Sequence, residues 1–343
     1  PKETDRHTSL PDNLQEQVIK EQITLDEALD AALAQLPVTR SGNGLHNYGQ
    51  TCYFNALISA LFHIPHVKQM QLLENDTALS SEFLFFRDEY FKHSRGFRVL
   101  EPRNLLDNAK NLHGQNVLKL FADNVQHDPS EALLAMFNFT NNADDTGLTR
   151  LRDMCIVRQT ERKSCTRGEL RVVSEQSTVF LKYISFGKDI VLSEGDDLRH
   201  LQSPDVTKNL QSTIETVDNG NKWGACEAYQ TTLTLQNPLP EILVVPIKRL
   251  VYDQNQKKIV KVMTALNFEQ DMVINHTQYK LYAAILHGGS ATGGHYVSRV
   301  LKDDGEWYEC NDTVVSPVDG PSDTSQGGRR QITMLFYAKA QPP

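Results

Sequence analysis

The sequence lacks most of the features that would place it quickly in a large class. It has only five cysteines in 343 residues: Cys52, Cys155, Cys165, Cys226 and Cys310. The number is odd and the spacing sparse, which excludes a disulfide framework and fits a reducing compartment. There is no excess of positive charge, since 35 Lys and Arg stand against 43 Asp and Glu, a formal net charge of −8. That balance argues against a nucleic-acid backbone as partner and favours a partner with basic segments. There is no long hydrophobic run; the longest apolar stretch, Ile242 to Ile247, is far too short to cross a bilayer. No repeat or low-complexity tract is present, and the polar opening from Pro1 to Gln22 holds no apolar signal-peptide core. These absences lead us to expect a cytoplasmic protein with no nucleic-acid or membrane partner. A pathogen protein acting in a host cytoplasm would read the same way.

What is present is ordinary globular composition, 39% hydrophobic and 23% charged, in a chain long enough for distinct lobes. Residues 1–12 read as a loose tail. Thr24-Leu-Asp-Glu27 has the form of a helix capping box, followed by Leu29, Leu33 and Leu36 at helical spacing and closed by Pro37. Ser41-Gly-Asn-Gly44 reads as a turn. Beyond Cys52, the apolar positions Phe54, Leu57, Ile58, Leu61 and Phe62 predict an amphipathic helix with the cysteine in its first turn. Residues 70–140 read as mostly helical, with Phe83, Phe86 and Tyr90 in the core. Residues 156–192 alternate and are rich in Val, Ile, Thr and Phe, which predicts strands and a hairpin. The basic cluster Arg158, Arg162, Lys163, Arg167 and Arg171 is interleaved with acids and reads as a solvated face. In the last hundred residues, Ile242–Arg249, Lys280–His287, His295–Leu301, Trp307–Cys310 and Ile332–Lys339 read as strands.

Three stretches carry chemistry. In the first, Gly44-Leu-His-Asn-Tyr-Gly-Gln-Thr-Cys-Tyr-Phe-Asn55, a glycine-bearing loop runs into a helix that begins at Cys52. Unpaired N–H groups and the helix dipole favour a thiolate there and can help stabilise an oxyanion, with Asn47 offering a side-chain amide upstream. An isolated cysteine would more simply be a buried structural thiol. In the second, Gly293-Gly-His-Tyr296 places a histidine at a strand start, and Trp307-Tyr-Glu-Cys-Asn-Asp312 follows. A thiolate–imidazolium pair needs a third group to hold the imidazole, and Asn311 or Asp312 is placed to supply it. In the third, Gln126-His-Asp-Pro-Ser-Glu131, the plain reading is a helix cap at Asp128 or Ser130 with Glu131 as a first-turn charge.

Residues 44–55 resemble the cysteine box of the ubiquitin-specific proteases, Gly-Leu-x-Asn-x-Gly-Asn-Thr-Cys-Tyr-x-Asn, with Gln50 in place of the usual Asn. The resemblance runs over roughly 42–340 and includes Gly293 to Tyr296 and Trp307 to Asp312. It implies Cys52 as nucleophile, His295 as base, Asn311 as third member, Asn47 at the oxyanion and Asp312 as an auxiliary polar group. It also makes Asp128 and Glu131 contacts for arginines in a ubiquitin tail ending Leu-Arg-Leu-Arg-Gly-Gly. We expect Gly293, Gly294 and Tyr296 to line a channel that passes Gly-Gly. The implied fold is α+β, papain-like: an extension with a helix over 1–40, a helical thumb near 41–150, β-rich fingers near 151–240 and an antiparallel β palm over 241–343. The family's zinc site of two Cys-x-x-Cys pairs is reduced here to Cys165-Thr-Arg-Gly168 and Cys226-Glu-Ala-Tyr229, so neither zinc nor any other cofactor is expected. The expected partner is ubiquitin or a ubiquitin-like modifier and its conjugates. The rival readings are another Gly-Gly-tailed modifier, ester-linked ubiquitin, an inactive ubiquitin-binding module, or an unrelated thiol enzyme.

Overall fold

The computed structural model describes residues 43–74, 76, 78–92, 98–106, 126–138, 146–165, 170–178, 184–185, 191–192, 206, 214–223, 226–253, 256–322 and 330–340. The tail over 1–12 and the helix expected from Thr24 to Leu36 lie outside the described residues.

A two-residue strand, β1 (Gly44–Leu45), precedes helix α1 (Cys52–Phe62), the one-turn α2 (Pro65–Lys68) and α3 (Ala78–Phe91). Strand β2 (Val99–Leu100) then pairs with β1 in parallel, and α4 (Pro129–Asn138) and α5 (Thr146–Cys155) follow. Strands β3 (Val157–Cys165) and β4 (Leu170–Thr178) form the expected hairpin. With β7 (Ile214–Trp223) and β8 (Cys226–Leu235) they make an antiparallel sheet in the order β4-β3-β8-β7. Two short strands, β5 (Ile184–Ser185) and β6 (Val191–Leu192), are contributed to the sheets that follow.

The main sheet is built from β9 (Ile242–Lys248), β12 (Asp271–Ile274), β13 (Thr277–Gly289), β14 (Gly294–Leu301), β15 (Trp307–Asn311), β16 (Val314–Val318) and β17 (Arg330–Lys339). Its order is β16-β15-β14-β13-β17-β9-β5, with β12 also paired to β13. All five strands expected in the last hundred residues are present. Four were not anticipated: β12, β16, and the hairpin of β10 (Leu250–Asp253) and β11 (Lys258–Lys261). β10, β11 and β12 are each only four residues long, and β16 contains Pro317, which an edge strand tolerates because no ladder N–H is needed there.

The sheet is covered on both faces, so its central strands are apolar in nearly every position rather than alternating. One core cluster joins Ile285, Val300 and Phe336 to Phe54, Leu57 and Leu61 of α1. The other face gathers Leu281, Leu286, Val297 and Leu335. Helix α1 is not amphipathic as expected: all eleven of its residues are buried. It lies between β13, β14 and β15 on one side and α4 on the other, so it has no solvent face. Each of its fully buried Phe, Leu and Ile side chains contributes about 1.5–3 kcal/mol by removal from water. Phe83, Phe86 and Tyr90 belong to the same core, as expected.

Gly44 is not a turn residue but a point of close approach. A β-carbon there would lie 2.4 Å from the carbonyl carbon and oxygen of Thr313. The next residue, Leu45, donates its N–H to the Asp312 carbonyl at 2.8 Å. The strand entering the cysteine helix is thereby fastened to the turn between β15 and β16. Gly44→Ala should force these backbones apart and cost about 1–3 kcal/mol, the range typical of overpacking. A denaturant melt checks it, and a variant as stable as the parent would show that the contact relaxes freely.

Candidate active site

Cys52 is the first residue of α1 and only 3% exposed. Thr51 stands at the N-cap without a side-chain cap bond to the helix, because its hydroxyl is used elsewhere. That hydroxyl donates to Asn47 Oδ1 at 3.1 Å and accepts the N–H of Tyr48 at 3.0 Å. The helix opens with the Phe54 and Asn55 N–H groups both donating to the Thr51 carbonyl at 3.0 Å, and the positive end of its dipole falls at Cys52.

His295 lies at the start of β14, with its Nε2 donating to Asn311 Oδ1 at 2.7 Å. This bond fixes the ring and its tautomer, leaving Nδ1 for the thiol. Asp312 Oδ2 lies 3.8 Å from the same Nε2. Burial would push the Cys52 thiol up. It is outweighed by the His295 hydrogen bond, the Tyr296 backbone N–H, the His295 charge and the Gln126 amide, which together bring it below the ordinary thiol range. Burial would likewise lower His295, but the bond and charge of Cys52, then Asn311 and Asp312, raise it to about 9. Each group favours the charged form of the other, which biases the pair toward thiolate and imidazolium.

Asp312 does more than assist. Its Oδ2 accepts from Asn47 Nδ2 at 2.8 Å, and its Oδ1 accepts from Asn55 Nδ2 at 2.7 Å. Asn55 also donates to the His46 carbonyl at 3.1 Å, and Asn47 Oδ1 accepts the Thr51 N–H at 3.2 Å. Asp312 holds these bonds from a left-handed backbone conformation, φ 48°, which aspartate adopts more readily than most residues. Asn47 thus stands near the nucleophile with one N–H fixed on Asp312 and its orientation set from both ends.

The acidic motif shows the geometry of its plain reading. Asp128 Oδ1 accepts the Ser130 N–H at 2.7 Å and the Ser130 hydroxyl at 2.5 Å, capping α4. Glu131 is an exposed first-turn charge, its carboxyl raised by burial and by Asp128. Both acids are felt electrostatically by Tyr296. Burial, then the charges of Asp128, Cys52 and Glu131, pushes the Tyr296 phenol up. Tyr296 packs on the His287 ring at 4.5 Å.

The two glycines of the histidine box differ. A β-carbon on Gly293 would meet nothing within 4 Å, whereas one on Gly294 would lie 1.9 Å from the Gly288 carbonyl and 2.5 Å from His287 Nε2. Sequence reasoning assigned no role to Asn55, to the Tyr296 N–H or to Gln126. The signal for Asn55 was an amide inside an apolar helical run, which must find a partner when buried.

Cys165 ends β3 opposite Tyr229, and Cys226 opens β8 opposite Trp223. Two thiols with a tyrosine and a glycine at the vacated positions do not form a four-ligand zinc set. Among the described residues no group of three or more His, Cys, Asp and Glu is gathered to hold a metal.

A buried cysteine at a helix terminus, paired with a histidine that an amide orients, has the arrangement of a cysteine hydrolase centre. The chain matches the family model described as ubiquitin carboxyl-terminal hydrolase over residues 43–337 and belongs to that family. It is 24% identical over 356 residues to a probable ubiquitin carboxyl-terminal hydrolase 4 of Schizosaccharomyces pombe, covering 87% of this chain and 58% of that protein. It is 26% identical over 306 residues to ubiquitin carboxyl-terminal hydrolase 25 of Arabidopsis thaliana, covering 80% and 44%. The chain spans about half the length of these curated relatives. Its fold is similar to a chain of the SAGA DUB module, Ubp8 with Sgf11, Sus1 and Sgf73, bound to monoubiquitin, with a TM-score of 0.58 at 16% identity over 95% of this chain and 76% of that one. The α+β architecture expected from the sequence is that of the family.

Two outcomes follow from the charges and the donor set. Hydrolysis needs the imidazolium to protonate the leaving group, so its rate should fall as pH rises through about 9, the His295 value. Alkylation of Cys52 by iodoacetamide needs only the thiolate, so it should show no alkaline decline and should persist below the ordinary thiol range. Parallel pH profiles for the two reactions would contradict the ion pair. Chelation with EDTA should leave the thermal melt unchanged, and stoichiometric zinc in the purified protein would overturn that expectation.

Proposed function

We propose that this chain is a cysteine deubiquitinase that hydrolyses the bond after the C-terminal Gly-Gly of ubiquitin. The observation that carries the reading is the Cys52–His295–Asn311 relay, in a member of the ubiquitin carboxyl-terminal hydrolase family whose solved structural neighbour is bound to monoubiquitin. The Cys52 thiolate attacks the carbonyl carbon of the terminal glycine, forming a C–S bond while the π electrons move to oxygen. The oxyanion is met by the second N–H of Asn47 and by the Cys52 N–H, which at the first helical position has no intrahelical acceptor. His295 gives its proton to the leaving amine as the C–N bond breaks, which leaves a thioester. Neutral His295 then takes a proton from water, and hydroxide addition releases the acid and restores the thiolate.

Asp128 and Glu131 are the proposed contacts for arginines in the substrate tail, where a charge-assisted and bidentate bond suits both partners. Asp128 can serve only with the oxygen its capping bonds leave free. Gly293, open on its missing-side-chain face, and Tyr296 are the proposed channel lining. We place the activity in a reducing cytoplasm, in keeping with buried free thiols at Cys52, Cys155 and Cys310.

Ubiquitin carrying a thiol-reactive C-terminal group should form a covalent adduct with the protein and none with Cys52→Ala. Lack of an adduct with the intact protein would sink the ubiquitin assignment, and the same test with other Gly-Gly modifiers would separate a changed modifier from an inactive site.

A further inference from the structure

Gln126, the residue that opens the acidic motif, has no part in the mechanism above. It sits three residues before α4 and reaches across to β14. Its Oε1 accepts the N–H of Gly294 at 3.1 Å, and its Nε2 donates to the carbonyl of the same glycine at 2.6 Å. Both edges of one primary amide are thus paired with both backbone groups of one residue, as a neighbouring strand would pair. The pairing fixes which end of the amide is nitrogen, because exchanging the two ends would set carbonyl against carbonyl and N–H against N–H.

A primary amide nitrogen has two hydrogens, and Gly294 takes one. The same Nε2 lies 3.4 Å from Cys52 Sγ. A donor therefore stands beside the nucleophile in a plane that the substrate does not have to create. Asn47 differs, since one of its N–H groups is held by Asp312.

We propose that Gln126 is a catalytic residue whose Nε2–H stabilises first the Cys52 thiolate and then the oxyanion of the tetrahedral intermediate. The inference rests on the hydrolytic reading given above. As the C–S bond forms, negative charge leaves sulfur and appears on the oxygen of the carbon bonded to it. A donor already aimed at sulfur meets that oxygen after a small displacement. It costs little reorganisation because Gly294 holds the amide throughout. The Gly294 strand and the nucleophile are thereby tied to one side chain, so the donor moves with the base that follows on the same strand.

The test is steady-state hydrolysis of a fluorogenic ubiquitin C-terminal amide by the parent, Gln126→Ala and Gln126→Met. It is read together with Cys52 alkylation by iodoacetamide, inhibition by ubiquitin aldehyde and the thermal melt. Removing one oxyanion donor typically lowers kcat by roughly 10²–10³-fold. We expect a loss of that order in both variants, with KM within about threefold. Inhibition by the aldehyde, which forms a tetrahedral adduct with its own oxygen anion, should weaken in step with kcat. Gln126→Glu would set a carboxylate oxygen against the Gly294 carbonyl and beside Cys52, so the near-isosteric, uncharged Gln126→Met, which removes the donor without adding a charge, carries the test if Gln126→Ala fails to fold. A kcat within about threefold of the parent, or a defect confined to KM, would overturn the assignment and leave Gln126 a strap between α4 and β14. A parent that is alkylated at Cys52 yet does not cleave the ubiquitin substrate would remove the hydrolytic reading itself, a result distinct from an active parent with unimpaired Gln126 variants.

Discussion

The carboxylate of Asp312 is the tie on which the rest of the site depends. Its oxygens receive the amides of Asn47 and Asn55, and its own carbonyl receives the Leu45 N–H. These three bonds join the segment entering α1 to the turn leaving β15, two pieces of chain separated by most of the sequence. Charge-assisted bonds of this kind are worth more than neutral ones, and a buried carboxylate stripped of its donors would be costly. Gly44, with no side chain to hold Thr313 away, allows the two backbones to come close enough for the bonds to form. The distance between nucleophile and base is set here, before either group's own chemistry is considered.

On that frame the electrostatics are a contest between burial and pairing. Burial opposes charge on both Cys52 and His295, yet each shifts toward its charged form, because each offers the counterion that the other lost with its water. A second imidazole lies close by without competing. His287 is held down to about 3 by burial and by the charges of Lys261 and His295, and so it stays neutral. Lys261 in turn spends its ammonium on the carbonyls of His287 and Gly289, at 2.8 and 3.2 Å. The strand end that bears the base is thus braced from below by groups that do not share its proton.

Much of this was legible in the sequence, and the exceptions have physical causes. The central strands announced themselves because both faces of their sheet are buried, so their residues are apolar without interruption. The β10–β11 hairpin did not, since Leu250, Tyr252 and Ile259 face solvent among lysines and the apolar pattern is broken. Helix α1 was found but misjudged: its small residues Ala56, Ser59 and Ala60 looked like a polar or neutral face and instead let neighbours pack closely. Cysteine, histidine and asparagine could be picked out because their chemistry is particular. The Tyr296 N–H could not, since every residue but proline carries one. Nor could the pairing of Gln126 with Gly294, whose partners lie 168 residues apart and meet only in the folded chain.

That separation has a consequence for how the protein is made. Cys52 leaves the ribosome well before the groups that pair with and orient it, from His295 to Asp312. Until they arrive, Cys52 has neither the imidazole that pairs with it nor the clamp that seats its helix. The pairing of Cys52 with His295 therefore waits on the folding of strands that are made long after α1.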